Sequence, residues 1–301
     1  MTMGIIKNVA IIGKGNVGSA VLSELLKGGF GVTILSRSNL EAPPGAKVVQ
    51  VDYSSIESVS SALRGHDAVV STVGAAGIVG QKTVIDAAIL AGVKRFIPSD
   101  YGSVSADPKA RNVTVFQPFV DIQDYLKEKA AAGEIEYTIL STGPFLDFIF
   151  GSPVFVDFRN HSVEFYGDGK LRLSSTSIGG IGKAIAGTLR NATETKNRVL
   201  HIQETIISQV KVLEMAKKAL PEGTGWKETF VDPDETLRAA SAKFSESPTD
   251  VLALYALIKA VMLSGKYDTQ YHELDNGIVG LAQFSDEDLE KFILPILTKS
   301  H

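Results

Sequence analysis

Three glycines near the amino end, Gly13, Gly15 and Gly18, are spaced G-x-G-x-x-G within GKGNVG. Glycine is common, so the spacing alone says little. Its setting says more: an apolar run, residues 8–13, leads into it, and a helix-patterned stretch, residues 18–29, leads out. Glycine at 13 permits a tight turn, glycine at 15 leaves the backbone bare, and glycine at 18 lets a helix lie close on a strand. The first N–H groups of that helix then point at whatever rests on the turn, at the positive end of the helix dipole. Such a turn suits a pyrophosphate and hence a dinucleotide. The plain alternative is an ordinary strand-to-helix turn.

A second chemical signal ends the next apolar run. At the place where an acidic residue would bond a ribose 2′-hydroxyl, the sequence has Ser36 and Arg37. A guanidinium offers a rigid cationic fork to a 2′-phosphate. Lys14, inside the glycine turn, adds positive charge nearby. NADP is therefore expected over NAD, unless Arg37 is a solvated surface arginine. Asp52 and Tyr53 close the third apolar run; Asp52 either touches the adenine or begins a helix.

Regular elements must bring these residues together. Residues 8–13, 30–36, 47–53, 67–74 and 94–102 read as strands. Residues 18–29, 54–65 (with Ser54 as N-cap) and 80–93 read as helices between them. Strands that are apolar throughout and alternate with helices imply a parallel sheet covered on both faces. The expected class is α/β, a doubly wound parallel sheet of the Rossmann type. Residues 135–143 and 198–203 read as further strands, with a helix over 177–190. On this reading residues 1–146, completed by 176–204, bind the dinucleotide. Residues 147–175 and 205–301, with breaks at 221–226 and 247–250, make a smaller, discontinuous substrate lobe at the carboxyl edge of the sheet.

Composition narrows the function classes. The 301 residues are 44% hydrophobic and 21% charged, an ordinary globular balance. The net charge is −4, and no basic stripe suggests a nucleic-acid partner. The amino-terminal MTMGIIKNVAIIG reads as a buried strand and not as a signal peptide. No apolar run approaches the roughly 18 residues a membrane span needs. Cysteine is absent, which removes disulfides, thiolate metal sites and a cysteine nucleophile. The five histidines, at 66, 161, 201, 272 and 301, have no ligand spacing, so no metal is expected. A cytoplasmic monomer or homodimer acting on a small molecule fits these features.

Several stretches together resemble a family. GKGNVG, the Ser36–Arg37 pair, STVG (71–74), RFIPSDYG (95–102), DYLKEKA (124–130) and YTILSTGPFLDF (137–148) are similar to the NmrA-like, isoflavone-reductase-like proteins. These are atypical relatives of the short-chain dehydrogenases, and the fungal branch is the nearest. The likeness covers most of the chain, with the C-terminal third matching loosely. It implies an NADP(H)-binding domain beside a substrate cleft, and hydride transfer from NADPH to a small secondary metabolite. Carried over residue by residue, Gly13, Gly15, Asn16, Val17 and Gly18 hold the pyrophosphate and Arg37 holds the 2′-phosphate. Thr72, Val73 and Gly74 run along the ribose and adenine side. Pro98 and Ser99 lie near the nicotinamide ribose, and Gly143, Pro144 and Phe145 near the nicotinamide.

Two departures from the family pattern carry weight. The glycine turn is one residue shorter than the usual G-x-x-G-x-x-G. The lysine that family reductases use to orient the nicotinamide ribose and to handle a proton is replaced by Phe119. Proton transfer by a positioned side chain is worth about 10²–10⁴ in rate, and phenylalanine has no proton to give. The substitutes are Tyr101, Asp100, Ser99 or water, although Tyr101 reads equally well as a packed aromatic. Gln117 cannot face the same way as Phe119 on a regular helix. Tyr125 and Lys129 have the Tyr-x-x-x-Lys spacing, but the family alignment puts them past the catalytic position, and the match reads as coincidence. Phe119, Phe145 and Phe148 are candidates for an apolar substrate wall, with core packing as the alternative.

Three functions follow. The leading one is an NADPH-dependent reductase of a small, apolar metabolite, aromatic or otherwise, with atypical proton donation. The second is a non-catalytic NADP-binding redox sensor of NmrA type. The third is an isomerase or rearrangement enzyme that uses the fold as a scaffold.

Overall fold

The structure, a computed structural model, describes residues 5–102, 104–220 and 224–299. His301, the start of the expected amino-terminal strand and part of the 221–226 break lie outside the described residues. In chain order the elements are β1 (Asn8–Ile12), α1 (Asn16–Lys27), β2 (Gly31–Ser36), β3 (Ala46–Gln50), α2 (Ile56–Leu63), β4 (Ala68–Ser71), α3 (Gln81–Leu90), β5 (Arg95–Ile97), α4 (Gln117–Ala131), β6 (Glu136–Ser141) and α5 (Leu146–Gly151). They continue as β7 (Ser162–Tyr166), β8 (Leu173–Ser175), α6 (Ile178–Arg190), β9 (Arg198–His201), β10 (Thr205–Ile207), α7 (Gln209–Ala219), β11 (Lys227–Val231), α8 (Pro233–Glu246), α9 (Val251–Leu263), α10 (Asn276–Val279) and α11 (Asp286–Lys299).

Seven strands form one parallel sheet in the order β3-β2-β1-β4-β5-β6-β9. Strand alternation explains why they are apolar throughout. Val9 and Ile11 of β1 face a core shared with Val21 and Leu25 of α1 and Ile181 and Ile185 of α6. Ala10 and Ile12 face the opposite core, with Leu63 of α2, Ile85 of α3 and Ile122 and Leu126 of α4. Neither face is left to water, so no polar register is needed. The strand order reverses between β1 and β4, which opens the crevice in which such folds bind ligands.

Local chemistry sets the boundaries where they differ from expectation. β3 stops at Gln50, not at Tyr53, because the Asp52 carboxylate accepts from the Ser54 N–H at 2.9 Å and turns the chain. The N-cap of α2 is Ser55, not Ser54; its hydroxyl accepts from the Ser58 N–H at 3.1 Å. β5 ends before Pro98, which has no N–H to give to a ladder.

The second lobe is built around Phe150, Phe155, Phe158, Phe165 and Leu257, under two small sheets that pair β7 with β11 and β8 with β10. Two segments cross the partition expected from the sequence. Val104, Ala110, Val115 and Phe116, from the segment between β5 and α4, pack into this second core. Val279 and Leu281, near the carboxyl end, return to the core beneath α6. Both segments carry apolar residues that the nearer surface leaves uncovered, and each crosses to the core that covers them.

Candidate cofactor and active site

Two of the three turn glycines are demanded by the chain itself. Gly13 has φ +94°, and a Cβ there would stand 2.7 Å from the Thr72 carbonyl oxygen. A Cβ on Gly18 would lie 2.3 Å from the Gly13 carbonyl oxygen. Gly15 differs: a Cβ on it would meet nothing within 4 Å. The fold has no need of glycine there, whereas a pyrophosphate resting on the turn would. Gly15 is the N-cap of α1 and no side chain caps the helix. Its first backbone bond is Ser19 N–H to Gly15 C=O, which leaves the N–H groups of the opening turn for an anion. Lys14, Gly15 and Asn16 are exposed around this opening, and Val17 is half-buried. Thr72 holds the turn from beneath: its N–H donates to Ile12 C=O, and its hydroxyl lies 3.0 and 2.9 Å from the carbonyl oxygens of Ile12 and Gly13.

At the end of β2, Arg37 is exposed and lines a hollow of about 640 Å³ with Gln50, Val51, Asp52, Tyr53 and Ser54. Its guanidinium has no ion-pair partner among the described residues. Gln50 fixes the Arg37 backbone by donating to its carbonyl at 3.1 Å, and the Tyr53 hydroxyl donates to Leu35 C=O at 2.9 Å. Ser36 accepts from the Ser38 N–H at 3.2 Å. Asp52 is held by the Ser54 hydroxyl and N–H, which pull its carboxyl below the usual range. Anionic and on the rim, it shares the hollow with the guanidinium.

The loops after β4, β5 and β6 are zipped together. Val73 is half-buried, and Gly74 is exposed at the head of a short 3-10 turn. The Ser99 hydroxyl donates to Val73 C=O at 2.8 Å, and the Ser99 N–H donates to the Gln81 side-chain oxygen at 2.8 Å. The Thr142 hydroxyl donates to Tyr101 C=O at 2.7 Å. Pro98, Gly143 and Pro144 are buried in these joints, and Phe145 is half-buried at the N-cap of α5.

Tyr101 and Asp100 are both buried, with their polar atoms engaged within the chain. Tyr101 is 6% exposed and its hydroxyl already donates to Ser71 C=O at 2.7 Å. Burial drives its pKa strongly upward, with the Asp100 charge adding to the effect. Asp100 is 2% exposed. It accepts from the Ser105 hydroxyl at 2.5 Å and from the Gln123 amide at 2.7 Å. Burial raises its pKa, while those donors and the Gly102 N–H pull the other way.

Phe119, in the first turn of α4, packs against both the second-lobe core and the core under α3 and α4. Phe148 is 38% exposed and stacks on Tyr255 of α9, with ring centroids 5.9 Å apart. Tyr255 was invisible to sequence reasoning, because only the fold brings α9 to α5. The same holds for Gln81, Gln123 and Ser105. Gln117 turns away to bond Asp121 at 2.9 Å. Tyr125 bonds the Asp86 carboxylate of α3, and the ammonium groups of Lys82 and Lys129 each sit 5.5 Å from its ring centroid. That cluster ties α3 to α4 and leaves Tyr125 and Lys129 no free proton relay. Among the described residues no group of three His, Cys, Asp or Glu could hold a metal ion, and no helix is long and apolar enough to cross a membrane.

Comparison with known proteins agrees with this geometry. A family model described as NAD(P)H-binding matches residues 13–157. The oxidoreductase aprR of Aspergillus flavus is 30% identical over 97% of this chain and 99% of its own length. An NmrA-like family domain-containing oxidoreductase of Gibberella moniliformis is 25% identical over 74% of this chain and 80% of its own. Among solved structures, one of the pinoresinol-lariciresinol and phenylcoumaran benzylic ether reductases, studied for their relationship to isoflavone reductases, superposes with a TM-score of 0.77. It covers 96% of this chain and 99% of the other at 18% identity. A leucoanthocyanidin reductase from Vitis vinifera in complex with NADPH gives 0.74 over 97% and 99% of the two chains at 19% identity. The chain belongs to the NAD(P)H-binding oxidoreductases of the NmrA-like, isoflavone-reductase-like family.

Proposed function

We propose that this protein is an NADP(H)-dependent reductase of a small, apolar, aromatic-compatible metabolite, and that water supplies the proton in place of the family's lysine. The observation that carries the first half is Gly15, a glycine whose missing side chain serves no contact within the chain. It stands at the open head of α1, with the unpaired Arg37 fork at the end of the next strand. A dinucleotide laid across the reversal point has its pyrophosphate on α1 and its adenosine over β2 and β3. Its other half then extends over the ends of β4, β5 and β6, where Thr72–Gly74, Pro98–Ser99 and Gly143–Phe145 lie.

When bound, the reduced nicotinamide supplies a hydride. The chain supplies the rest: anion binding at α1, phosphate reading at Arg37, and a wall of closed backbone joints that excludes water from beneath the ring. Phe119, Phe145, Phe148 and Tyr255 support an apolar acceptor. Tyr101, Asp100 and Ser99 all have their polar atoms engaged, so a proton delivered to a reduced oxygen comes from solvent.

The test is calorimetry with NADP, NADPH and NAD, followed by loss of nicotinamide absorbance with a panel of enones, aldehydes and ketones. Binding of NADPH with turnover of at least one acceptor is expected. Arg37→Ala should weaken NADP by about 10- to 100-fold, the loss of a charge-assisted hydrogen bond or two, and NAD by less than about threefold. Equal losses would mean that Arg37 does not read the 2′-phosphate. No heat with any of the nucleotides would end the proposal. The absence of a free acid also supports a second reading, a dinucleotide-binding sensor. Binding with no turnover across the panel favours it.

A further inference from the structure

The turn after β6 is held by a residue from far along the chain. Gly143 has φ +68°, and a Cβ there would lie 1.7 Å from the Ser174 carbonyl oxygen, so the turn is pressed flat on β8. Its N–H donates to the phenolic oxygen of Tyr271 at 3.1 Å. Tyr271 is buried, and its backbone is anchored to the same strand: its N–H donates to the Ser174 hydroxyl oxygen at 2.8 Å. The Ser174 N–H in turn donates to Thr269 C=O at 2.8 Å. The Ser141 side chain near the same phenol works against the burial that raises its pKa, and the ring leans on His201 with centroids 4.8 Å apart. One phenol thus stands beside both ends of the 141–143 turn.

The following residues inherit that orientation. The Ser175 hydroxyl donates to Pro144 C=O at 2.5 Å, and the Leu146 N–H donates to Thr176 C=O at 3.1 Å. Thr176 also donates to Thr142 C=O at 2.8 Å. Among the described residues, the other ties on this turn come from the loop after β5, from β8 and the residue that follows it, and from Ile202 beyond β9, whose N–H donates to Ser141 C=O at 3.0 Å. From the carboxyl-terminal segment, among the described residues, Tyr271 fixes the Gly143 peptide plane.

We propose that Tyr271 is a positioning residue: its phenolic oxygen sets the Gly143 peptide, and through it the Pro144–Phe145 wall against which the nicotinamide ring lies. This rests on the reading above that the nicotinamide half of the cofactor ends over β6. A misplacement of about 1 Å at a reacting centre can cost about 10²-fold in rate, so a single hydrogen bond beneath the wall has leverage.

Tyr271→Phe deletes that oxygen and keeps both the ring packing and the backbone bond to Ser174. Wild type and variant are compared by calorimetry with NADPH, by the fluorescence of bound NADPH, and by kcat and KM with an acceptor from the panel. NADPH affinity should stay within about threefold, because α1 and Arg37 grip the other half of the cofactor. The emission of bound NADPH should shift toward that of free NADPH, and kcat should fall about tenfold or more with the acceptor's KM little changed. Ser141→Ala, which keeps the phenol and removes the Ser141 hydroxyl near it, should move the same readouts in the same direction by less. It carries the test if Tyr271→Phe does not fold. If wild type binds no NADPH, the functional reading fails. If wild type binds NADPH, and folded variants show unchanged emission and kcat, Tyr271 is structural only and the inference is overturned. Parallel losses of stability and affinity with unchanged emission from the bound fraction overturn it as well.

Discussion

Phe119 and Gln123 stand one turn apart on the same face of α4, and Gln123 ties that face to Asp100 through a 2.7 Å hydrogen bond. Position 119 therefore faces the loop that follows β5, over which the nicotinamide half is proposed to lie. A lysine there has a stem that can replace part of the Phe119 packing and an ammonium that reaches toward that loop. Phe119→Lys should raise reductase turnover of an enone or ketone by about 10²-fold and add an alkaline limb to the pH profile. The lost ring packing should cost about 1–3 kcal/mol. Turnover measured across the pH range, with unfolding followed in parallel, checks both. A folded variant with unchanged turnover and profile would show that position 119 does not face the reacting atoms.

The turn glycines separate fold from ligand. Gly15→Ala should leave stability within about 1 kcal/mol, since its Cβ meets no atom of the chain, and should weaken NADPH binding about tenfold or more. Gly18→Ala should do the reverse of a clean binding defect. Its Cβ would stand 2.3 Å from the Gly13 carbonyl oxygen, so α1 must move off β1 and stability falls by several kcal/mol, about 2–4. Urea unfolding and calorimetry on both variants decide. Equal stability losses would mean that the Gly15 space is not reserved for a ligand.

The sheet was readable because strands buried on both faces write themselves as continuous apolar runs. The glycine turn was readable because its strand and helix flank it in sequence. Ser36–Arg37 was readable for the same local reason. What stayed hidden depends on long separations: Gly143 meets Tyr271 across 128 residues, and Ser99 meets Gln81 across 18. Local periodicity carries no record of such pairs. The burial of Tyr101 and Asp100 was not legible either, since a residue type announces its chemistry but not whether its proton is already engaged. The packing of 104–116 into the second core was not legible, because an apolar segment between two sheet elements does not declare which core it joins.

Asp100 gives stability a defined pH dependence. Its unfolded carboxyl titrates near about 3.9, and burial in the fold raises that value. Between the two values the folded state holds the proton more tightly, so the contribution of Asp100 to stability is present at low pH and is lost as pH rises through the folded pKa. Asp100→Asn removes the ionisation; its one amide oxygen can accept from Gln123, and its NH2 donates to the Ser105 hydroxyl oxygen, which turns from donor to acceptor. The stability of the variant relative to wild type should therefore improve on going from about pH 4.5 to about pH 7.5. Urea unfolding of both proteins at the two pH values measures this. A difference that does not change with pH would show that Asp100 titrates alike in both states.

Arg95 carries a load at the opposite end of the same strands. It is 0% exposed, and its guanidinium bonds Glu136 at 2.9 Å, Thr138 at 2.9 Å, Thr195 at 3.2 Å and Ala192 C=O at 2.7 Å. These ties join β5 to β6 and to the turn between α6 and β9. Burial pulls the Arg95 pKa down while Glu136 props it up. Arg95→Met leaves Glu136 with Lys196, 2.6 Å away, and the Thr138 and Thr195 hydroxyls with the backbone carbonyls they donate to, but takes the buried donor from the Ala192 carbonyl and from both hydroxyl oxygens. The expected cost is about 3 kcal/mol. Arg95→Lys should recover little of it, because one ammonium cannot span four partners set out for a planar fork. Arg95 opens β5, whereas Ser99 follows its far end, so NADPH affinity of the folded fraction should be unchanged in both variants. Unfolding titrations with calorimetry below the midpoint test the separation. A folded Arg95→Met that bound NADPH tenfold more weakly would mean that strain at one end of β5 reaches the other, and that the sheet is a less rigid platform than its two dry cores require.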